Sequence, residues 1–362
     1  MTPAEAAARL RLARTDGIGP AQFATLLNRY GSAQEAIPRI AARFPLPAPA
    51  EIAREMEATQ RLGARYLHLG TDEYPVLLGH IPDAPPVLAC LGDPGLLGMR
   101  AIAIVGARNA SAAGRRIAET IAEAATEAGL LVISGLARGI DAAAHAGALR
   151  RGATAAAIAG GIDKPYPPEH AALQAQIAEA GCILAEAPLG TAPLARHFPR
   201  RNRIVAGLAL GTIVIEAAAR SGSLITARLT LEYGRELFAV PGSPLDLRNQ
   251  GSNDLIRQGA HLTEGIVDIL ANLPAAPVAV TRRRTLIPLE AAPQTSRTLD
   301  EDSAEAAQVL ALLGNSPVAV DDLLRRCHLS PSVVQAILLD LELAGRVETS
   351  PGPRVALRPP GP

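Results

Sequence analysis

Ile102-Ala103-Ile104-Val105-Gly106-Ala107-Arg108-Asn109-Ala110-Ser111 decides the fold of this chain. Four consecutive apolar residues run into a glycine, and Ser111, a residue suited to capping a helix, follows. The apolar run is continuous rather than alternating, which is how a strand buried on both faces reads. The stretch therefore predicts strand, turn and helix start. The same design recurs in Leu131-Val132-Ile133-Ser134-Gly135-Leu136-Ala137-Arg138-Gly139-Ile140-Asp141. Working outward, short apolar runs stand at Ala101–Val105, Leu130–Ile133, Ala155–Ala159, Cys182–Ala185, Thr212–Ile215 and Leu237–Val240. Helical stretches over 111–128, 139–150, 168–180 and 222–233 separate most of them. Such alternation predicts right-handed βαβ units and a doubly wound, mostly parallel sheet.

On the N-terminal side, residues 3–14 read as a helix. Gly17-Ile18-Gly19-Pro20 is a tight turn, with Pro20 starting a second helix through Tyr30. This has the form of a helix-hairpin-helix, which aims turn amides at a nucleic-acid backbone. A small helical bundle with an ordinary glycine turn reads the same way, and few basic residues flank the turn. A Pro/Ala-rich stretch, Phe44 to Ala50, precedes another helix over about 51–63. Tyr74–Leu78 and Pro86–Leu91 look like extra strands ahead of the main sheet. On the C-terminal side, 274–302 has no periodicity and reads as a linker. Helices over 304–313, 319–327 and 331–344, then strands Arg346–Thr349 and Arg354–Leu357 around Ser350-Pro351-Gly352-Pro353, predict a winged helix. The expected organisation is a helical domain over 1–64, an α/β domain over 65–273, a linker over 274–302 and a winged helix over 303–362.

Composition narrows the function classes. Formal net charge is zero, so a basic surface, if present, is local. Aromatic residues make up 2% of the chain, so the cores rest on Ala, Leu, Ile and Val. Lys164 is the single lysine. Either arginine replaced lysine wherever both serve, or position 164 needs a compact ammonium. Cys90, Cys182 and Cys327 fit no zinc or redox spacing. No signal peptide and no apolar run of spanning length stands out, which gives a cytoplasmic expectation with no membrane partner.

Several loops at predicted strand ends carry anion-binding chemistry. Gly106 and Gly135 let backbone amides approach a phosphate, with a helix N-terminus behind each. Arg108 is placed to clamp the same phosphate, and Ser134 offers a hydroxyl. Dinucleotide binding is poorly supported, because the second and third glycines of GxGxxG are missing, and the Walker pattern is absent. Gly160-Gly161-Ile162-Asp163-Lys164-Pro165-Tyr166 follows the third strand. Lys164 can neutralise a phosphate there. Tyr166 is either a stacking face for a base, worth roughly 1–3 kcal/mol, or a packing plug. Arg196-His197-Phe198-Pro199-Arg200-Arg201-Asn202-Arg203 holds four arginines and no acid. Like charges are costly to cluster unless something anionic joins them. A bend at Pro199 and an apolar helix from Ile204 hold that cluster against the fold, with Phe198 as a second stacker. A solvated basic face is the other reading. Asp141 and His145, four apart on one helix, form an acid/base pair only if a nucleophile or metal joins them; a structural hydrogen bond is the simpler reading. Glu216 to Thr226 either binds phosphate or closes the sheet.

VGARNAS, SGLARGIDAAAH, GGIDKPYPPEH, FPRRNRIVAGL, EAAARSGSLITA and AVPGSPLDLRNQGSNDLIRQGA occur in this order. Together they resemble the DNA-processing protein A (DprA/Smf) family. The resemblance implies an extended Rossmann-like domain, flanked by an N-terminal helical (helix-hairpin-helix or SAM-like) domain and a C-terminal winged helix. It implies single-stranded DNA binding, homodimerisation through the Rossmann-like domain, and delivery of RecA recombinase onto incoming DNA during natural transformation. No enzymatic activity and no cofactor is implied. Carried over by position, the DNA pocket comprises Arg108, Ser134, Gly135, Lys164 and Tyr166, with Arg200, Asn202 and Arg203 as a further part. The helix expected over Ser330 to Gly345 carries Asp340 and Glu342 and no basic residue, which disfavours insertion into a DNA groove and suggests a protein-interaction role. Two readings compete. One is a phosphoribohydrolase-like nucleotide enzyme, for which Gly211-Thr212 precedes Glu216 without the required glycines. The other is a regulator whose winged helix reads duplex DNA.

Overall fold

The structure, a computed structural model, describes residues 1–275 and, beyond them, 304–314, 317–327, 329, 333–334, 337–338, 341, 346–350 and 354–357. The chain divides into two compact units, Met1–Ala279 and Val280–Pro362. The stretch read as a linker lies almost entirely outside the described residues.

The first unit opens with four helices, α1 (Pro3–Ala13), α2 (Pro20–Tyr30), α3 (Ala33–Ile40) and α4 (Pro49–Arg61). Sequence periodicity did not reveal α3, because Pro38 interrupts it. Its N-terminus is held from two sides. Ser32 Oγ accepts from the Glu35 amide at 3.2 Å, and the Glu5 carboxylate of α1 accepts from Ala33 and Gln34 at 2.9 and 3.1 Å. A tertiary carboxylate thus compensates a weak local signal.

The remainder of the unit runs β1 (Ala64–His68), α5 (Val76–Gly79), β2 (Val87–Gly92), β3 (Ala101–Gly106), α6 (Ala112–Glu127), β4 (Leu131–Ser134), α7 (Ile140–Leu149), β5 (Thr154–Ile158), α8 (Ala171–Ala180), β6 (Cys182–Ala185), α9 (His197–Leu208), β7 (Gly211–Ile215), α10 (Ser223–Glu232), β8 (Glu236–Ala239), α11 (Gln250–Arg257), β9 (His261–Leu262) and α12 (Ile266–Asn272). The nine strands form one sheet in the order β1-β2-β6-β5-β4-β3-β7-β8-β9. From β6 to β9 every pairing is parallel, and β2 pairs antiparallel with both β1 and β6. This is the doubly wound sheet expected, with a hairpin added at one edge. One expected strand is absent: Tyr74–Leu78 forms a turn and the short helix α5. Pro75 precedes that helix, and the Tyr74 hydroxyl donates to Pro85 O at 2.7 Å, tying the segment across the loop rather than into the sheet.

Alternation along β3 shows how the two faces fill. Ala101, Ala103 and Val105 pack with Ile204, Val205 and Leu208 of α9 on one face. Ile102 and Ile104 pack with Ile121 of α6 and Ile140 of α7 on the other. The N-terminal helices join the same body: Leu10 packs with Val87 of β2, and the Arg9 guanidinium donates to Leu69 O at 2.9 Å.

The second unit contains α13 (Ala304–Ala311), β10 (Val318–Ala319), α14 (Val320–Arg326), β11 (Val347–Ser350) and β12 (Arg354–Leu357), with its strands in the antiparallel order β10-β12-β11. Val309, Leu323, Ile337, Leu341 and Val355 are among its core residues. Most of the helix expected over 331–344, including Asp340, together with Glu342, lies outside the described residues.

Candidate nucleic-acid interface

The order of the parallel strands reverses between β3 and β7, the crevice where open α/β sheets commonly hold a ligand. Here the protein fills it. Glu216, the residue after β7, reaches the N-terminus of α6, where its carboxylate accepts from the Ser111 amide at 2.8 Å and from the Ser111 hydroxyl. Gly114 makes room for it: a Cβ there would lie 2.5 Å from Glu216 Cδ. Glu216 therefore closes the sheet, and the helix terminus expected to cradle phosphate already holds an anion. The second loop is satisfied in the same way. Asp141 Oδ2 accepts from the amides of Gly135 and Ala137 at 3.1 and 3.3 Å. The amide grip expected at Gly135 is thus taken by a protein carboxylate.

The open cleft is displaced to the ends of β3, β4 and β5. It encloses about 310 Å³ and is lined by Arg108, Asn109, Gly135, Arg138, Lys164, Tyr166 and Phe198, among others. Its walls are side chains. The Arg108 guanidinium lies 4.7 Å from the centre of the Phe198 ring. Phe198 in turn meets Tyr166 at 5.7 Å between ring centres, tilted by 57°. Tyr166 is 46% exposed, so it presents a free face rather than plugging a core. Arg138 stands on the rim, ion-paired with Glu169.

The arginine run behaves differently from its expectation. Pro199 does not bend the chain; it sits in the first turn of α9, where its missing N–H costs nothing. A continuous helix sends neighbouring residues to different sides. Arg200 is exposed and bonds the Glu186 carboxylate at 2.8 and 3.1 Å. Arg203 is buried, bonding both Glu186 oxygens at 2.7 Å and donating to Asp83 O. Asn202 donates to Gly222 O at 3.3 Å. Carboxylates distant in sequence therefore supply much of the anionic compensation that the run called for.

Arg201, which the sequence reading did not single out, lies beneath the Gly135 loop. It is 5% exposed and donates to Ala157 O at 2.9 Å. A Cβ on Gly135 would lie 1.5 Å from Arg201 Nη1, so this glycine is needed for the guanidinium rather than for a phosphate. Burial pulls the Arg201 pKa down, opposed by the nearby Asp141 charge. Burial pushes the Asp141 carboxyl up, opposed by Arg201 and the two loop amides.

Ser134 also faces inward: it is fully buried, and its hydroxyl donates to Ile104 O at 2.6 Å. His145 pairs with Thr154 rather than Asp141. Thr154 donates to Val132 O at 2.7 Å, so His145 Nδ1 carries the proton toward the threonine oxygen at 2.8 Å. Burial holds this histidine's pKa down to about 3. Of the expected residues, Arg108, Gly135, Lys164 and Tyr166 meet in the cleft; Ser134, Asn202 and Arg203 are engaged elsewhere, and Arg200 lines a neighbouring cleft. Arg138 and Asn109 are additions to the cleft, and Arg201 supports it from beneath the Gly135 loop. Arg138 was legible as the cation in the second glycine loop.

The family model described as DNA recombination-mediator protein A matches residues 65–274, more than half of the chain. The chain belongs to the DNA-processing protein A (DprA/Smf) family. DprA-type models also match at both ends, an N-terminal HHH domain over 3–62 and a winged helix domain over 291–353. Protein Smf of Escherichia coli is 39% identical over 291 residues, covering 79% of this chain and 75% of its own length. The X-ray structure of DprA from Streptococcus pneumoniae superposes with a TM-score of 0.67 at 33% identity, covering 74% of this chain and 98% of that one. Helicobacter pylori DprA, a structure reported for its single-stranded DNA binding mode, gives 0.52 at 30% identity, covering 58% and 95%.

Proposed function

We propose that this chain binds single-stranded DNA in the cleft over β3, β4 and β5. The convergence of Arg108, Arg138 and Lys164 with the Tyr166–Phe198 pair carries the reading. Cationic side chains grip phosphates, because Glu216 and Asp141 hold the loop amides. A base stacks on the open face of Tyr166, which a duplex would deny it. Affinity is therefore sequence-tolerant and falls steeply with salt. The Helicobacter pylori relative's single-strand binding supports the choice of ligand.

In this reading the chain is a binding protein, not an enzyme, and works in the cytoplasm during natural transformation. It acts as a homodimer through the sheet domain and hands the coated strand to RecA recombinase. Leu262 of edge strand β9 and Val267 of α12 are 51% and 74% exposed, an apolar edge suited to self-association. The winged helix serves a protein contact. Titrating labelled single- and double-stranded oligonucleotides across a salt series tests the core of the proposal. Preference for the single strand with a steep salt slope is expected; equal affinity for both forms overturns it. Sedimentation tests the dimer.

A further inference from the structure

Along the carboxyl edge of the sheet the parallel strands lie in the order β5-β4-β3-β7-β8, and the loop after each carries a cation: Lys164, Arg138, Arg108, Arg220 and Arg248 in turn. Arg138 and Arg248 are closed by ion pairs with Glu169 and Asp246. Lys164, Arg108 and Arg220 have no acidic partner among the described residues. Arg220 lies outside the cleft, in the β7–α10 loop, and that loop is fixed on both flanks. Glu216, its acid, is committed to Ser111, three residues from Arg108. Gly222 O accepts from Asn202 at 3.3 Å. Asn202 stands one turn along α9 from Phe198, on the same helix face, so the loop borders the cleft on its Arg108–Phe198 side. Within the loop, the Ser221 amide donates to Ala218 O at 2.9 Å. This closes a tight turn with Arg220 at its corner, and Ala218, Ala219 and Arg220 are all exposed.

We propose that the bound strand continues out of the cleft along this edge, with Arg220 gripping a further backbone phosphate. Neighbouring strands are about 4.8 Å apart, so the three gaps from β5 to β7 span about 14 Å. That is about the rise of four stacked nucleotides. The DNA therefore lies across the β-strands, with Lys164, Arg108 and Arg220 as successive open charges. Glu216 and Arg220 divide the segment between them: the first closes the sheet, and the second meets the ligand. This track rests on the single-strand reading of the cleft.

Arg220 gives a clean test, because an exposed loop side chain without a partner can be removed at little cost to the fold. Arg61 supplies the charge control. It is 67% exposed at the end of α4, just ahead of β1. Strand β1 is antiparallel to β2, and β2 to β6, so β1 begins at the opposite edge of the sheet. Full-length wild type, Arg220→Ala, Arg108→Ala and Arg61→Ala are titrated with labelled oligo-dT of about 20 nucleotides across a salt series. R220A should bind about fivefold more weakly, with the salt slope reduced by about 1. R61A should bind like wild type. A second readout tests contact directly. Cys90, Cys182 and Cys327 are buried, so Arg220→Cys adds the one accessible thiol. A photo-crosslinking maleimide there should capture the oligonucleotide, and one on Arg61→Cys should not. The track is overturned if R220A binds like wild type while R108A weakens, if R61A loses as much as R220A, or if both labelled sites capture DNA equally. A wild type that binds no oligonucleotide removes the cleft reading and the track with it.

Discussion

Arg108 rests on the Phe198 ring and Lys164 lines the same cleft, so both charges are held where a polyanion would pass. Replacing either with alanine should weaken single-strand binding roughly uniformly over sequence and reduce the salt slope by about 1. A changed base preference with an unchanged slope would assign them a different job. Tyr166→Ala should cost roughly 1–3 kcal/mol of binding while sparing the slope; fluorescence titration at several salt concentrations separates the outcomes. Adjacent arginines should differ sharply. Arg200 is exposed, so R200A should alter stability by no more than about 0.5 kcal/mol. Arg201 is buried beneath the Gly135 loop and donates to Ala157 O, so R201A should destabilise by about 1–3 kcal/mol by leaving that buried carbonyl unpaired. Urea unfolding of the two variants decides between a shared surface role and separate ones.

Helix termini explain why a loop-rich sheet edge offers so few free amides. Glu216 caps α6 from across the β3–β7 crevice, a role local sequence could not reveal because cap and helix are over a hundred residues apart. Glu216→Ala should cost about 1–2 kcal/mol, comparable to losing a strong N-cap, and hydrogen exchange should quicken first at the Ser111–Gly114 amides. Uniform quickening over the whole unit would point instead to a global defect. The arginine run is decided at this scale as well. Taking Pro199 as a bend placed the arginines on a loop able to turn them together. In a helix each residue advances by about 100°, so one carboxylate draws Arg200 and Arg203 while Arg201 faces the sheet.

Over the whole first unit, acid sensitivity should reflect buried histidines rather than the cleft. Burial lowers His145 to about 3 and His68 to about 4. Both are neutral in the folded chain near pH 6, whereas an unfolded histidine titrates near 6.5. Unfolding therefore takes up protons, and stability falls as pH drops from about 6.5 toward these folded values, at up to about 1.4 kcal/mol per unit for each histidine. Chemical unfolding between pH 7.5 and 5.5 measures this. A flat profile would show that both rings meet protons while folded. Among the described residues, no helix is long and apolar enough to cross a membrane.

In the central sheet, from β3 to β8, the sequence by itself determined the strands and their order. Buried strands, glycine turns and helix starts are written in contiguous residues, and β3 to β8 lie close to where their apolar runs predict. It also delivered Arg108, Lys164 and Tyr166, because each stands in or beside a glycine loop at a strand end, and parallel strands bring such loops to one edge. Only the tertiary structure decided which polar groups stay available. Glu216, Asp141 and Glu186 take up amides and guanidinium groups that looked free, and a single positive charge cannot satisfy a distant protein carboxylate and a phosphate equally well. That competition is settled by distances through space, which a linear pattern does not contain.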